Sequence, residues 1–329
     1  MASNGTIGEV EALLRARRFD DAARRLIGAA EGGEAEAAAA LAHWRIAGNI
    51  VRRDLAEARR LLGLAGAAGD AEAALLHAYF LAAGVGGRDD WAGAIAALGA
   101  LGRSDPRAAA QLRLIAAMDL DADGFPRRPP RTRPLSAAPP AAAADGFMTE
   151  AECAWLRKAG EPALQPSLVA DPKTGKMVPH PVRSSDAAMF GVFAEDLVVN
   201  ALNRRIAALS GTRLEQGEPL QLLRYRPGGE YKPHLDALPA EPNQRILTVL
   251  VYLSDDHEGG ETSFPRTGLS FRGRTGDALL FRNAGEDGRA DPLALHAGLP
   301  VTKGTKYLAS RWIRAGRFAY PPPRPLVEI

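Results

Sequence analysis

His234 and Asp236 stand two residues apart, and His296 follows far along the chain. Two imidazoles and one carboxylate can take one face of an octahedral ferrous ion and leave three positions open, enough for a bidentate ligand and dioxygen. Side chains two apart on a strand point the same way, so one strand can present His234 and Asp236 while His296 closes the set from another. Lys306, ten residues beyond His296, would add a cation on the next strand, suited to a distal carboxylate. An isolated His-X-Asp is a weak pattern, so its meaning depends on the elements around it.

Those elements read as short strands separated by turn signals. Leu220 to Tyr225 meets Pro227-Gly228-Gly229, Arg245 to Leu253 meets Ser254-Asp255-Asp256, and Asp277 to Arg282 and Lys306 to Ile313 continue the series. This spacing predicts a sandwich or barrel. Two helices come first: Thr149-Glu150-Ala151-Glu152 has the capping-box pattern, and a second amphipathic stretch runs from Ala194 to Leu209. Pro300 to Gly304 predicts a hairpin turn that sets the strand of Lys306 beside the strand end of His296. Thr248 and Leu250 are candidates for the wall of the pocket beside such a site.

The N-terminal part follows another rule. Gly33-Glu34-Ala35-Glu36-Ala37-Ala38 returns 36 residues later as Gly69-Asp70-Ala71-Glu72-Ala73-Ala74, and a degraded copy starts near Ser104. Each unit holds a first apolar helix (Ala37 to Ala47, Ala73 to Ala83), a glycine-containing turn and a second (Leu55 to Ala67, Trp91 to Leu101). A helix pair from Val10 to Ala30 precedes them. A period in this range predicts stacked helical hairpins, each burying its apolar face against its neighbour. His43, Trp44, His77 and Trp91 are read as packing residues, since no second ligand-type residue stands at useful spacing. Between the halves, Phe125 to Pro134 carries four prolines and four arginines, and Ala137 to Ala144 is a run of small residues. Proline at that density forbids helix and predicts an extended connector. The expected organisation is therefore residues 1–125 as helical repeats, 126–144 as linker and 145–329 as a β-rich catalytic domain.

Composition narrows the function class. The chain has 329 residues, 46% of them hydrophobic, and a formal charge of +2. That supports buried cores, and no strong field calls for nucleic acid as a partner. The one cysteine, Cys153, fits a reducing compartment and reads as a buried structural thiol. The N-terminus lacks a basic segment followed by an apolar run, and no stretch reaches the ~20 apolar residues of a membrane span. The expectation is a cytoplasmic protein without membrane contact. His180, between two prolines, and His257, after two aspartates, are expected in exposed loops. Gly259-Gly260-Glu261-Thr262 is no phosphate loop, because no helix start with Lys-Ser or Lys-Thr follows.

Two resemblances add to this reading. Ala47 to Ala58 followed by Ala65 to Asp70 resembles Sel1-like repeats, relatives of the tetratricopeptide repeat, over residues 33–117. Arg224 to Tyr231, Tyr231-Lys232-Pro233-His234-Leu235-Asp236, Glu258 to Pro265 and Leu295 to Lys306 together resemble the prolyl 4-hydroxylase branch of the 2-oxoglutarate- and Fe(II)-dependent dioxygenases, over residues 145–316.

The second resemblance implies a double-stranded β-helix, or jelly roll, with flanking helices behind an all-α repeat solenoid. It implies Fe(2+) held by His234, Asp236 and His296, and Lys306 paired with the C5 carboxylate of 2-oxoglutarate. It places the Tyr225 phenol and the Thr248 wall against the co-substrate, and Arg183, Tyr231 and Trp312 near the substrate. With O2 as the second co-substrate, the implied reaction is hydroxylation coupled to release of succinate and CO2, with L-ascorbate as a rescuing reductant. A peptide or protein hydroxylated at proline, held by the repeats, is the leading expectation. A small-molecule or free amino-acid oxygenase, and a repeat scaffold with an inactive β-domain, are the alternatives.

Overall fold

The structure, a computed structural model, describes residues 5–170, 177–179, 182–319 and 324–327, without the side chains of 168–170 and 177–179. His180 lies outside the described residues. The chain divides into two units: Met1–Gly124 with Glu195–Asn200 and Ala319–Ile329, and Phe125–Ala194 with Ala201–Phe318.

The first unit contains helices α1 (Thr6–Arg15), α2 (Phe19–Glu31), α3 (Ala35–Ala47), α4 (Leu55–Ala67), α5 (Ala71–Ala83), α6 (Trp91–Leu101) and α7 (Pro106–Ala116). Consecutive helices pack against one another as hairpins. Their starts are written in the sequence: Asp54, Asp70, Asp90 and Asp105 accept hydrogen bonds from the first-turn amides of α4, α5, α6 and α7. Their ends repeat as well. Gly48 and Gly84, 36 residues apart, close α3 and α5 at φ 72° and 65°, a left-handed conformation that glycine reaches without steric cost. Fully buried Ala37, Ala42, Ala58, Ala65, Ala78, Ala82 and Ala94 let the helices cross closely. Trp91 is buried, in keeping with a packing role. Near the C-terminus Val327 forms a parallel bridge to Val51.

The second unit opens with paired strands where an extended linker was expected. The expected linker 126–144 contains strands β1 (Arg133–Ala137) and β2 (Pro140–Ala144), and β2 pairs along its length with β13 (Ala278–Arg282, numbered in chain order). The proline-dense part stops before Leu135, and Ala141, Ala143 and Ala144 after Pro140 are buried against the sheet. A run of small residues is compatible with a strand where a neighbouring strand supplies the partners. Then follow α8 (Glu150–Gly160), β3 (Gln165–Pro166), β4 (Leu168–Ala170), β5 (Met177–Pro179), β6 (Asp186–Met189), α9 (Leu197–Ser210), β7 (Gln221–Tyr225), β8 (Tyr231–His234), β9 (Arg245–Tyr252), β10 (Glu258–Gly259), β11 (Thr262–Phe264), β12 (Leu269–Phe271), β14 (His296–Gly298), β15 (Val301–Lys303) and β16 (Lys306–Arg314). The capping box at Thr149 and Glu152 forms as the sequence predicts.

Strands are arranged as an eight-stranded sheet, β1-β2-β13-β9-β16-β7-β6-β3, facing a four-stranded sheet, β12-β11-β14-β8. Leu223, Tyr225, Leu250, Tyr252, Phe281 and Leu308 from the large sheet and Phe264 and Phe271 from the small one share one buried cluster, so the architecture is a jelly-roll sandwich. Leu222, whose side chain points the opposite way from Leu223, meets α8: a Cβ on Gly160 would lie 2.7 Å from it. The large sheet is thus covered on that face by helix and filled on the other by core and site.

The expected hairpin at Pro300 to Gly304 is also corrected. β15 pairs with β10, and β16 joins β7 and β9 in the large sheet. His296 and Lys306 therefore belong to opposing sheets, with the chain crossing over between them.

Candidate metal centre and co-substrate pocket

β8 and β14 pair antiparallel with His234 directly opposite His296. Their ring centroids are 4.2 Å apart. Asp236 lies beyond the end of β8, in the turn that follows, so the two-residue spacing works through a bend and not through one continuous strand. Its Oδ1 is 3.5 Å from His234 Nε2 and its Oδ2 is 3.6 Å from His296 Nε2. One ligand atom from each of the three residues falls within 4.8 Å of the others.

Backbone carbonyls settle which imidazole nitrogens point inward. His234 Nδ1 lies 2.8 Å from the Lys232 carbonyl, and His296 Nδ1 lies 3.0 Å from that of Ala294. Each Nδ1 donates outward, which leaves each Nε2 as an acceptor facing the carboxylate. Burial holds His296 below its ordinary pKa and so neutral. Burial alone would raise Asp236, but the imidazoles and the Thr248 hydroxyl hold its carboxyl below the usual range. Two imidazoles with their Nε2 atoms turned inward and an ionised carboxylate on one side of a cleft form the donor set for a non-haem ferrous ion, and the residues present fit that ion.

Lys306 lies at the start of β16, opposite Tyr225 in register. It is 2% exposed and donates to the Gly260 carbonyl at 2.6 Å. Its ammonium lies 5.5 Å from the Tyr225 ring centroid and 5.2 Å from that of Tyr252. Burial lowers it to about 8, and no carboxylate among the described residues lies within ion-pair distance. Alternation along β16 sends Lys306, Leu308, Ser310 and Trp312 into one pocket, which Tyr225, Leu250, His234, Asp236 and His296 also line. Burial pushes the Tyr225 phenol to about 12, so it remains a donor at neutral pH.

Arg183, Tyr231 and Trp312 line the same pocket. Tyr231 stacks on His234 with centroids 3.4 Å apart, and the Arg183 guanidinium lies 5.5 Å from the Tyr231 ring. Trp312 is backed by Arg245, whose guanidinium sits 3.6 Å from the indole centroid. Arg245 and Arg314 both donate to Glu218 at 2.6 Å.

Thr248 departs from expectation. It is fully buried, does not line the pocket, and donates its hydroxyl to Asp236 Oδ2 at 2.6 Å. It shares the inward face with Leu250 but sits one pair deeper, beside the carboxylate. His257 is 4% exposed and not in a solvated turn, and neither ring nitrogen has a hydrogen-bond partner among the described residues. Burial, with Lys306 and Arg272 nearby, lowers its pKa. Cys153 is a buried thiol pushed up to about 12 by burial, the inert state expected of it. Sequence reading missed Asn283, Glu218 and Arg245. Their partners are tens of residues away, and no local pattern marks them.

A sequence model described as the 2OG-Fe(II) oxygenase superfamily matches residues 220–314. Prolyl 4-hydroxylase 1 of Arabidopsis thaliana is 40% identical over 188 residues, 51% of this chain and 66% of that protein, just under two thirds of its length. Probable prolyl 4-hydroxylase 10 of the same plant is 36% identical over 208 residues, 56% of this chain and 72% of that protein. A Sel1 repeat protein from Oxalobacter formigenes is similar in structure, with a TM-score of 0.30 and 24% identity over 34% of this chain and 90% of that one. With its paired histidines and carboxylate on the jelly-roll scaffold, the chain belongs to the prolyl 4-hydroxylase family of 2-oxoglutarate- and Fe(II)-dependent oxygenases.

Proposed function

We propose that this protein hydroxylates a proline in a peptide or protein substrate, with 2-oxoglutarate and O2 consumed and succinate and CO2 released. The observation that carries the reading is the pairing, in one pocket, of the His234-Asp236-His296 set with a buried lysine that lacks a carboxylate partner among the described residues. A buried ammonium without an anion is costly, and a dicarboxylate co-substrate relieves it. The choice of proline rests on the prolyl 4-hydroxylases to which the chain is similar.

In this reading His234, Asp236 and His296 would hold Fe(II), and Lys306 lines the same pocket. Bound iron supplies the activation of dioxygen coupled to decarboxylation of 2-oxoglutarate. The protein's own residues position and exclude. Lys306 anchors the distal carboxylate, and the protonated Tyr225 phenol donates to the co-substrate. Leu250 and Leu308 keep that end of the pocket dry, which strengthens both contacts. Tyr231, Arg183 and Trp312 form the wall against which the substrate lies. Helices α1–α7 supply the surface that retains a protein partner, raising its local concentration. Ascorbate as a rescuing reductant belongs to the reading and rests on the family alone.

The test is anaerobic Fe(II) titration of the native chain beside His234→Ala, followed by succinate release with proline-containing and proline-free peptides. Metal uptake lost in the variant, and turnover stimulated only by proline peptides, is the expected result. Equal stimulation by both peptides would remove the prolyl assignment and favour a free small-molecule substrate.

A further inference from the structure

The carboxylate of Asp236 is held from behind by two polar side chains that touch neither pocket nor solvent. Thr248, 0% exposed, donates to Oδ2 at 2.6 Å, and Asn283, 1% exposed, donates its Nδ2 to Thr248 Oγ1 at 2.8 Å. The direction of both bonds is forced. An ionised carboxylate only accepts, so the Thr248 proton must point at Asp236, and its oxygen is then free to accept from the amide. The main chain of Asn283 is itself pinned on both sides: its backbone N–H donates to the Ile246 carbonyl at 2.8 Å, and its backbone carbonyl accepts from the Asp291 N–H at 2.9 Å. Its Oδ1 is buried and has no partner among the described residues. A residue kept only to fill that space would be leucine, which carries no stranded oxygen. The stranded atom marks a polar group retained for what its other end does.

We propose that Thr248 and Asn283 are positioning residues that fix the rotation of the Asp236 carboxylate, tying up Oδ2 and presenting Oδ1 to the metal. The relay rests on the metal-centre reading above. Its consequence is a preformed ligand: each oxygen lies near one imidazole, Oδ1 3.5 Å from His234 Nε2 and Oδ2 3.6 Å from His296 Nε2, but Oδ2 already accepts the Thr248 hydroxyl, so Oδ1 is the oxygen left for the ion. With Oδ2 occupied, the carboxylate is biased toward binding through one oxygen, which keeps an open position for the co-substrate. Asn283 acts only through Thr248, since it keeps the hydroxyl from turning toward any other acceptor.

The test uses the full chain and Fe(II) alone under nitrogen, with affinity read by calorimetry. The charge-transfer absorption that appears when 2-oxoglutarate is added is the second readout. Thr248→Val keeps the shape and removes the donor, and is expected to weaken Fe(II) binding by roughly 10- to 100-fold, the usual range for losing an outer hydrogen bond to a ligand. Thr248→Ser restores the donor and is expected to return to within about threefold of the native affinity, well inside that range. Asn283→Leu weakens binding in the native background and changes nothing in the Thr248→Val background, because groups acting in series are not additive. Thermal unfolding of each metal-free variant separates folding from binding, and Asn283→Leu in the native background carries the test if valine fails to fold, native-like affinity there overturning the relay. Native-like Fe(II) affinity in Thr248→Val, no recovery with serine, or equal effects of Asn283→Leu in both backgrounds would each overturn the relay. A native chain that takes up no Fe(II) would overturn the metal centre and the relay with it, whereas native uptake with an unaffected Thr248→Val chain removes the relay alone.

Discussion

Lys306 shows how one residue carries two opposed demands. It is buried against Tyr225 and Tyr252 with a backbone carbonyl as its hydrogen-bond partner, so the folded state disfavours its charge and lowers it from 10.5 to about 8. The unfolded chain then binds more protons between pH 8 and 10.5, and this residue's contribution to stability rises with pH across that window. In metal-free protein, the Tm of the native chain should gain on that of Lys306→Met as pH climbs through it. Differential scanning calorimetry at pH 7, 8.5 and 10 checks this, and a constant difference would refute it. Binding runs the other way. Above pH 8 the free enzyme loses the ammonium, so 2-oxoglutarate affinity should fall by up to roughly tenfold per pH unit, with no such slope in Lys306→Met.

Elements, not single residues, hold the pocket wall at Trp312. Glu218, just before β7, takes Arg245 of β9 and Arg314 of β16, and Arg245 lies flat on the Trp312 indole. All three charged side chains are largely buried, with side-chain exposures of 9% to 16%. Removing the Glu218 carboxylate leaves Arg245 without its partner in a largely buried place and leaves Arg314 only Glu241, at 3.7 Å. Glu218→Gln should cost about 3 kcal/mol of stability in denaturant unfolding and raise KM for the peptide more than it lowers kcat. A loss of less than about 0.5 kcal/mol would place the cluster among ordinary surface pairs. The strands themselves were legible, because alternation in β7, β9 and β16 is a local property of the backbone. The hairpin β1–β2 was not, since proline and alanine carry no strand signal of their own and the pairing partner is β13.

At the scale of the whole chain, the division into units does not follow sequence order. Residues 195–200 and 319–329 group with the N-terminal helices. The Leu197 amide at the start of α9 donates to the Gln111 side chain of α7 at 3.1 Å, and Leu197, Val198 and Val199 are fully buried. A fragment beginning at residue 125 should therefore unfold at lower temperature than the intact chain and expose apolar surface, read by calorimetry and dye binding. A fragment with the intact chain's Tm would show that α9 needs no such cover.

The sequence by itself determined the chemical groups and the periodic elements: the His-X-Asp pair, His296 and Lys306, the 36-residue helical repeat, and the strands whose inward faces line the pocket. These depend on side-chain identity and on backbone geometry that repeats over a few residues. Only the tertiary structure decided that Lys306 crosses to the opposing sheet, that residues 133–144 extend the large sheet, and that His257 is buried. It also turned Thr248 from pocket wall to the support of Asp236 and brought Asn283 behind it. Each of these depends on which strands become neighbours when the sandwich closes, and a contact between residues 35 apart leaves no periodic trace in the chain.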